Sequence, residues 1–206
     1  MGRKKGMLIA FDGIDGAGST TQAFLLRDWF LKRGHKAIVT SEPTDSLIGG
    51  LIKSALKGDW RCDSLTLQLL FCSDRAMHVK SEIEPALRKG YFVILDRYYY
   101  STLAYGSLEL PLSWLLELNS RFPTPAIAFI LDVPAKVAMK RLGKTRFHRE
   151  LFEQERKLEL IREQYKKLAD LLPEAVLINA NAPIKKIARK VRKLLLRVAI
   201  ESGIEI

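Results

Sequence analysis

Nine consecutive residues, Gly13-Ile14-Asp15-Gly16-Ala17-Gly18-Ser19-Thr20-Thr21, match the phosphate-binding pattern G-x-x-x-x-G-K-[S/T] at every fixed position except the lysine. Glycines there let the backbone turn tightly, so that successive N–H groups converge on phosphate oxygens. A helix that follows adds its positive N-terminal end. The Thr20 hydroxyl occupies the position that binds Mg²⁺ in such loops, so ATP with Mg²⁺ is the expected cofactor pair. Ser19 stands where an ammonium would neutralise charge on the β- and γ-phosphates. Another cation must do that, or activity is weak.

The replacement is sought in Lys140-Arg141-Leu142-Gly143-Lys144-Thr145-Arg146-Phe147-His148-Arg149, a stretch dense in cations around one glycine. It suits a mobile lid over residues 140–150 that closes on phosphates, with a solvated loop as the plain alternative. Lys144, Arg146 and Arg149 all qualify, and the sequence does not choose among them. Asp96-Arg97-Tyr98 ends an apolar run, where a guanidinium offers forked donors to phosphate oxygens. Asp96 would hold either Arg97 or a Mg²⁺-bound water, or form a simple surface ion pair. Phe71 and Arg75 lie four apart and share a helix face. An aromatic at that spacing is, by itself, core.

Short apolar runs alternate with segments of helical period, which is the pattern of parallel strands joined by crossover helices. Strands are expected at 7–11, 36–40, 91–95, 126–132 and 175–179. Helices are expected at 20–32, 64–88, 113–120, 134–142, 149–171 and 183–200, the second opened by Asp63 or Ser64 and kinked at Pro85. The fold class is therefore three-layer α/β around a five-stranded parallel sheet. In such sheets ligands lie beyond the carboxyl ends of the strands, which brings together 12–21, 41–45, 96–106 and the stretch after Asp132.

The chain has 206 residues, the length of one domain with a large core. Its 34 Lys and Arg against 23 Asp and Glu leave a net charge of +11, which suits an anionic partner. Nucleic acid is the first reading of that charge and nucleotide substrates the second, and composition does not separate them; the phosphate-binding loop makes small-molecule nucleotides the expected partner over nucleic acid. Many cations lie between Lys185 and Arg197, where a solvated face and a functional one are both open readings. Cys62 and Cys72 form no metal clip or disulfide framework, and no apolar run reaches membrane-spanning length, so a cytoplasmic protein without a membrane partner is expected.

Phe11 to Gln22, Glu42-Pro43, Phe71-Cys72-Ser73-Asp74-Arg75, Asp96-Arg97-Tyr98 and Leu131-Asp132-Val133, in this order and spacing, resemble the thymidylate kinase family over nearly the whole chain. The resemblance implies a P-loop nucleoside monophosphate kinase fold and transfer of phosphate from ATP to thymidine monophosphate. Arg97 would grip the acceptor phosphate, Phe71 would stack on the thymine ring, and Arg75 would donate to its edge. Pro43 would bound the base pocket, with Glu42 only closing a turn. Tyr105 would lie against the sugar and exclude a 2′-hydroxyl, with core packing as its alternative. Thr102 and Leu103 fall where members of that family carry an amide near the base, and Leu103 cannot hydrogen-bond. Asp15 would reach the acceptor sugar and orient a lid arginine, Arg141 would stack on adenine, and the role of Glu153 stays open. The family is commonly homodimeric, with the helix from Ser64 a candidate contact. Another pyrimidine monophosphate or a deoxynucleoside as acceptor, or a nucleotide-binding protein that has lost catalysis with its lysine, are the rival readings.

Overall fold

The computed structural model describes residues 6–143, 148–204 and 206, without the side chains of residues 148–153. Five parallel strands, β1 (Met7–Gly13), β2 (Ala37–Ser41), β3 (Phe92–Asp96), β4 (Ile127–Asp132) and β5 (Ala175–Asn179), form one sheet in the order β2-β3-β1-β4-β5. The three inner strands are buried almost throughout, and their sequences MLIAFDG, FVILD and IAFILD are nearly unbroken apolar runs, as strands covered on both faces must be. The edge strands β2 and β5 are partly exposed and carry the more mixed sequences AIVTS and AVLIN.

The helices are α1 (Ser19–Leu31), α2 (Leu47–Lys57), α3 (Ser64–His78), α4 (Glu84–Arg88), α5 (Tyr99–Gly106), α6 (Leu112–Asn119), α7 (Ala135–Arg141), α8 (His148–Leu171) and α9 (Ile184–Glu201). One group, α1 with α9, and another, α5 with α8, pack on the sheet to give helix, sheet and helix layers. Phe30 of α1 stacks on Phe92 of β3 with ring centroids 4.0 Å apart, and Phe11 meets Phe129 at 5.1 Å across β1 and β4. On α9, Ile187, Val191, Leu195 and Ala199 face inward, while Lys185, Lys186, Arg189, Lys190, Lys193 and Arg197 are exposed.

Two expectations change. The single helix over 64–88 is three pieces: α3, one π-helical turn at Val79–Ile83, and α4. Pro85 has no N–H to offer the Ser81 carbonyl and its ring crowds that oxygen, so the helix widens ahead of the proline instead of simply kinking. Secondly, α2 and α5 lie within stretches for which no helix is expected. The Gly49-Gly50 pair lowers the helical propensity of α2. It forms nonetheless because Ser46 accepts from the Gly49 N–H at 3.1 Å and Gly58 closes the far end at φ 87°. In α5 the β-forming, aromatic sequence YYSTLAYG is overridden by burial, with Tyr99, Tyr100, Thr102, Leu103 and Ala104 all inside.

Strand register decides what meets at the carboxyl ends. Phe11 pairs with Asp96 and Gly13 with Leu131, while Ser41 pairs with Asp96 from the other side. The segment 12–21, Glu42-Pro43 and Arg97 therefore emerge side by side.

Candidate active site

Between β1 and α1 the chain turns through Gly13, Gly16 and Gly18, all at positive φ. At Gly16 a Cβ would lie 2.5 Å from the Ala138 carbonyl oxygen, so this glycine seats the loop against α7. Gly18, at φ 101°, caps α1, and a Cβ there would meet nothing within 4 Å. Space is thus open above the loop while the backbone below it is packed. Among the described residues, the N–H groups of Gly16, Gly18, Ser19 and Thr20 donate to no main-chain acceptor, which leaves them for an anion at the helix N-terminus.

The Thr20 hydroxyl donates to Asp96 Oδ2 at 2.5 Å, whereas Asp96 Oδ1 is buried with no partner among the described residues. A hydroxyl and a half-satisfied carboxylate beside a phosphate loop fit Mg²⁺, which binds through one or two protein oxygens and fills the rest with water and phosphate. No group of three or more His, Cys, Asp or Glu that could hold a metal occurs among the described residues, so such an ion would depend on nucleotide oxygens.

Arg97 adopts φ 75°, the left-handed region that a side chain disfavours. Its N–H donates to the Phe11 carbonyl at 2.9 Å, and its guanidinium donates to the Gly13 carbonyl at 3.1 Å, to Ser101 Oγ at 3.1 Å and to Asp15 Oδ1 at 2.5 Å. Behind it, Asp12 is fully buried and accepts from the Tyr98 N–H at 2.9 Å, from the Tyr165 hydroxyl at 3.2 Å and from the Ser101 hydroxyl. Burial pushes the Asp12 carboxyl up to about 7, against the lowering effect of the Arg97 charge and of these three donors.

Next to Arg97 opens a largely apolar pocket of about 200 Å³, lined by Pro43, Leu56, Leu67, Gln68, Phe71, Arg75, Thr102 and Tyr105, with Asp15 at its rim. Arg75 is 1% exposed. Its guanidinium donates to Glu42 at 2.8 Å, to Asn119 Oδ1 at 2.5 Å and to Thr102 Oγ1 at 3.1 Å. Glu42 also pairs with His78 Nδ1 at 3.0 Å, and Asn119 is oriented by its own donation to the Leu115 carbonyl. Tyr105 places a buried hydroxyl, without a partner among the described residues, beside Arg97, whose guanidinium lies 5.9 Å from its ring centroid.

The expected residues fall into three groups. Gly13, Ile14, Asp15, Gly16, Ala17, Gly18, Ser19, Thr20, Thr21, Asp96 and Arg97 converge at the loop, and Pro43, Phe71, Arg75, Thr102 and Tyr105 line the adjoining pocket. Arg141 joins the loop from α7, donating to the Gly16 and Ala17 carbonyls at 3.4 and 3.3 Å and to Ala180 at 2.9 Å. Lys144 and Arg146 lie outside the described residues, as do the side chains of Arg149 and Glu153.

Some details differ from expectation. Arg97 is held by Asp15, not by Asp96, because Asp96 turns to Thr20. Glu42 does more than close a turn, since it is buried and carries the charge opposite Arg75. Asp12, Ser101, Asn119, Gln68 and Tyr165 are site residues that sequence reasoning missed. Asp12, an acid ending a buried apolar run, and Gln68, three residues before Phe71 on the same face, left a signal. Asn119 and Tyr165 left none, because they come from distant helices.

Known proteins resemble this chain along most of its length. The family described as thymidylate kinase matches residues 11–191. A probable thymidylate kinase of Pyrococcus horikoshii is 41% identical over 192 residues, covering 89% of this chain and 92% of that protein. One from Thermococcus kodakarensis is 40% identical over 201 residues, 92% and 97% of the two chains. One from Staphylothermus marinus is 37% identical over 199 residues, 95% and 98%. With a match over most of its length and a loop, strand-end arginine and pocket arranged as above, this chain belongs to the thymidylate kinase family.

Proposed function

We propose that the chain transfers the γ-phosphoryl group of ATP to the phosphate of thymidine monophosphate, giving ADP and thymidine diphosphate, the activity of the family to which it belongs. The observation that carries this reading is the position of Arg97. One guanidinium touches the phosphate loop through the Gly13 carbonyl and Asp15, and it also lines the apolar pocket, so donor and acceptor sites share a wall.

The loop N–H groups and the N-terminus of α1 bind the donor phosphates. Thr20 and Asp96 would hold Mg²⁺, which would supply positive charge against the donor phosphates. Arg97 holds the acceptor phosphate in line. An acceptor that is already anionic requires no strong base, so positioning and charge carry the catalysis. Phe71 covers the base, Arg75 donates to its edge, and Tyr105 packs against the sugar. Arg141, fixed against the Gly16 and Ala17 carbonyls, flanks the adenine, while Lys144, Arg146 and Arg149 supply lid charge in place of the missing lysine.

The unit proposed is one kinase domain spanning residues 1–206 with a lid over 140–150. Exposed Leu65 and Leu69 on α3 support a homodimer, and free Cys62 and Cys72 support a reducing, cytoplasmic setting. None of the described helices is long and apolar enough to cross a membrane. ADP formation with ATP, Mg²⁺ and each of thymidylate, uridylate, deoxyuridylate and deoxycytidylate tests the reading. Thymidylate is expected to be the best acceptor. Nucleotide binding without turnover of any acceptor would overturn it.

A further inference from the structure

Helix α9 carries seven Lys and Arg among its 18 residues, and its one acid, Glu201, is the last of them. A solvated helix ordinarily mixes its signs, as α8 does with the pairs Arg162–Glu159 and Lys166–Glu163. Among the described residues no cation of α9 is in an ion pair. The acids of neighbouring elements are engaged elsewhere, Asp28 of α1 with Arg27 at 2.7 Å and Asp132 of β4 with Arg162 at 2.5 Å. Like charges gathered on one helix repel one another unless an anion meets them.

The apolar face of α9 is occupied by the core, through Ile187, Val191, Leu195 and Ala199. On the flank towards β5, where Lys190 lies beside Leu177 and Asn179, the exposed Lys186, Lys190, Lys193 and Arg197 follow at i, i+4, i+7 and i+11. That spacing makes one straight stripe. Eleven helical residues rise about 16 Å, which matches about five phosphates of one duplex strand at about 3.4 Å each. No aromatic residue occurs on α9 for unstacked bases to rest on, and the stripe holds no apolar residue to enter a bilayer. A stiff row of phosphates is the anion that fits.

We propose that the α9 stripe docks the phosphate backbone of a nucleic-acid duplex, without reading its sequence, on a surface separate from the kinase site. Lysine and arginine on phosphates fix position and supply affinity, whereas sequence is read only by groups that reach base edges. The inference goes beyond the kinase reading and does not depend on it. None of the four cations lines the acceptor pocket, so the stripe can be altered without touching that site.

The test is fluorescence anisotropy of a labelled DNA duplex of about 20 base pairs and arbitrary sequence, titrated with the full chain between about 50 and 200 mM salt. Four neutralised phosphates predict a slope of log affinity against log salt of about −3.6, hence about a hundredfold weaker binding across that range. Lys186→Gln, Lys190→Gln, Lys193→Gln and Arg197→Gln together should weaken binding at least about thirtyfold at the lower salt and flatten the slope, with melting temperature and ADP formation unchanged. Either half of the set, the first two or the last two, should reduce the slope by about half, which decides the matter if the full set does not fold. A control set in which four other exposed cations, Lys57, Lys80, Lys89 and Arg121, become glutamine should bind within about fivefold of wild type. No duplex binding by wild type, an unchanged slope in both half sets, or equal weakening by the control set would overturn the stripe while leaving the kinase reading intact. Binding to vesicles of phosphatidylserine in phosphatidylcholine but not to duplex would overturn it in favour of a lipid surface.

Discussion

The Arg97 guanidinium meets the Asp15 carboxylate at 2.5 Å, linking the end of β3 to the middle of the phosphate loop. Because Asp15 is half exposed, the pair contributes little to stability by itself. Its consequence is geometric. The group placed to hold the acceptor phosphate is aimed from the loop that cradles the donor.

Arg97 separates fold from function. Its main chain at φ 75° suits glycine better than arginine, so Arg97→Gly is expected to melt close to wild type. Turnover should fall about a hundredfold to a thousandfold, as for loss of one donor to a transition state. Comparable turnover in a steady-state assay would remove Arg97 from the mechanism.

Thr20 and Asp96 define the metal position. Thr20→Val keeps the shape of the side chain but loses the hydroxyl that donates to Asp96. The Mg²⁺ concentration for half-maximal rate should rise about tenfold, and Thr20→Ser should restore it. A Mg²⁺ titration of all three proteins checks this.

Glu42 holds Arg75 inside the protein. Glu42→Ala would leave a guanidinium that is 1% exposed without its countercharge, which costs about 3–5 kcal/mol. Urea unfolding should show that loss, together with weaker thymidylate binding as Arg75 turns from the pocket.

Asp12 makes stability depend on pH. An unfolded aspartate titrates at 3.8, and the buried carboxyl is pushed up to about 7, so between these values the native state binds a proton that the unfolded chain has released. Stability from this group is therefore greatest below the unfolded value and falls as pH rises towards 7. Melting temperatures from pH 4.5 to 8 should show a decline that is flatter in Asp12→Asn. Parallel profiles would mean that Asp12 does not titrate in this range.

Ser19→Lys asks whether the loop lacks charge. With Arg97 and Arg141 at the loop carbonyls and further cations in the 140–150 stretch, the added lysine is expected to change kcat by less than about tenfold. A gain of several orders of magnitude would show that no other cation fills that place.

Much of the site was legible because it is local. Strands buried on both faces read as apolar runs, and a glycine-rich loop needs only its own backbone to form an anion cradle, so β1, the loop and Asp96-Arg97 could be placed from their order alone. Helix boundaries were less legible where packing overrode propensity, as in α5, or where a cap outweighed a glycine pair, as in α2. The sequence by itself determined the sheet, the loop and its missing lysine, because each depends on neighbouring residues. Tertiary structure alone decided that Asp15 holds Arg97, that Asn119 and Glu42 orient Arg75, and that Gln68 Oε1, beside the pocket, has no partner among the described residues. Buried polar groups must find partners wherever the fold brings them, as the Tyr165 hydroxyl reaches Asp12 from 153 residues away in the chain.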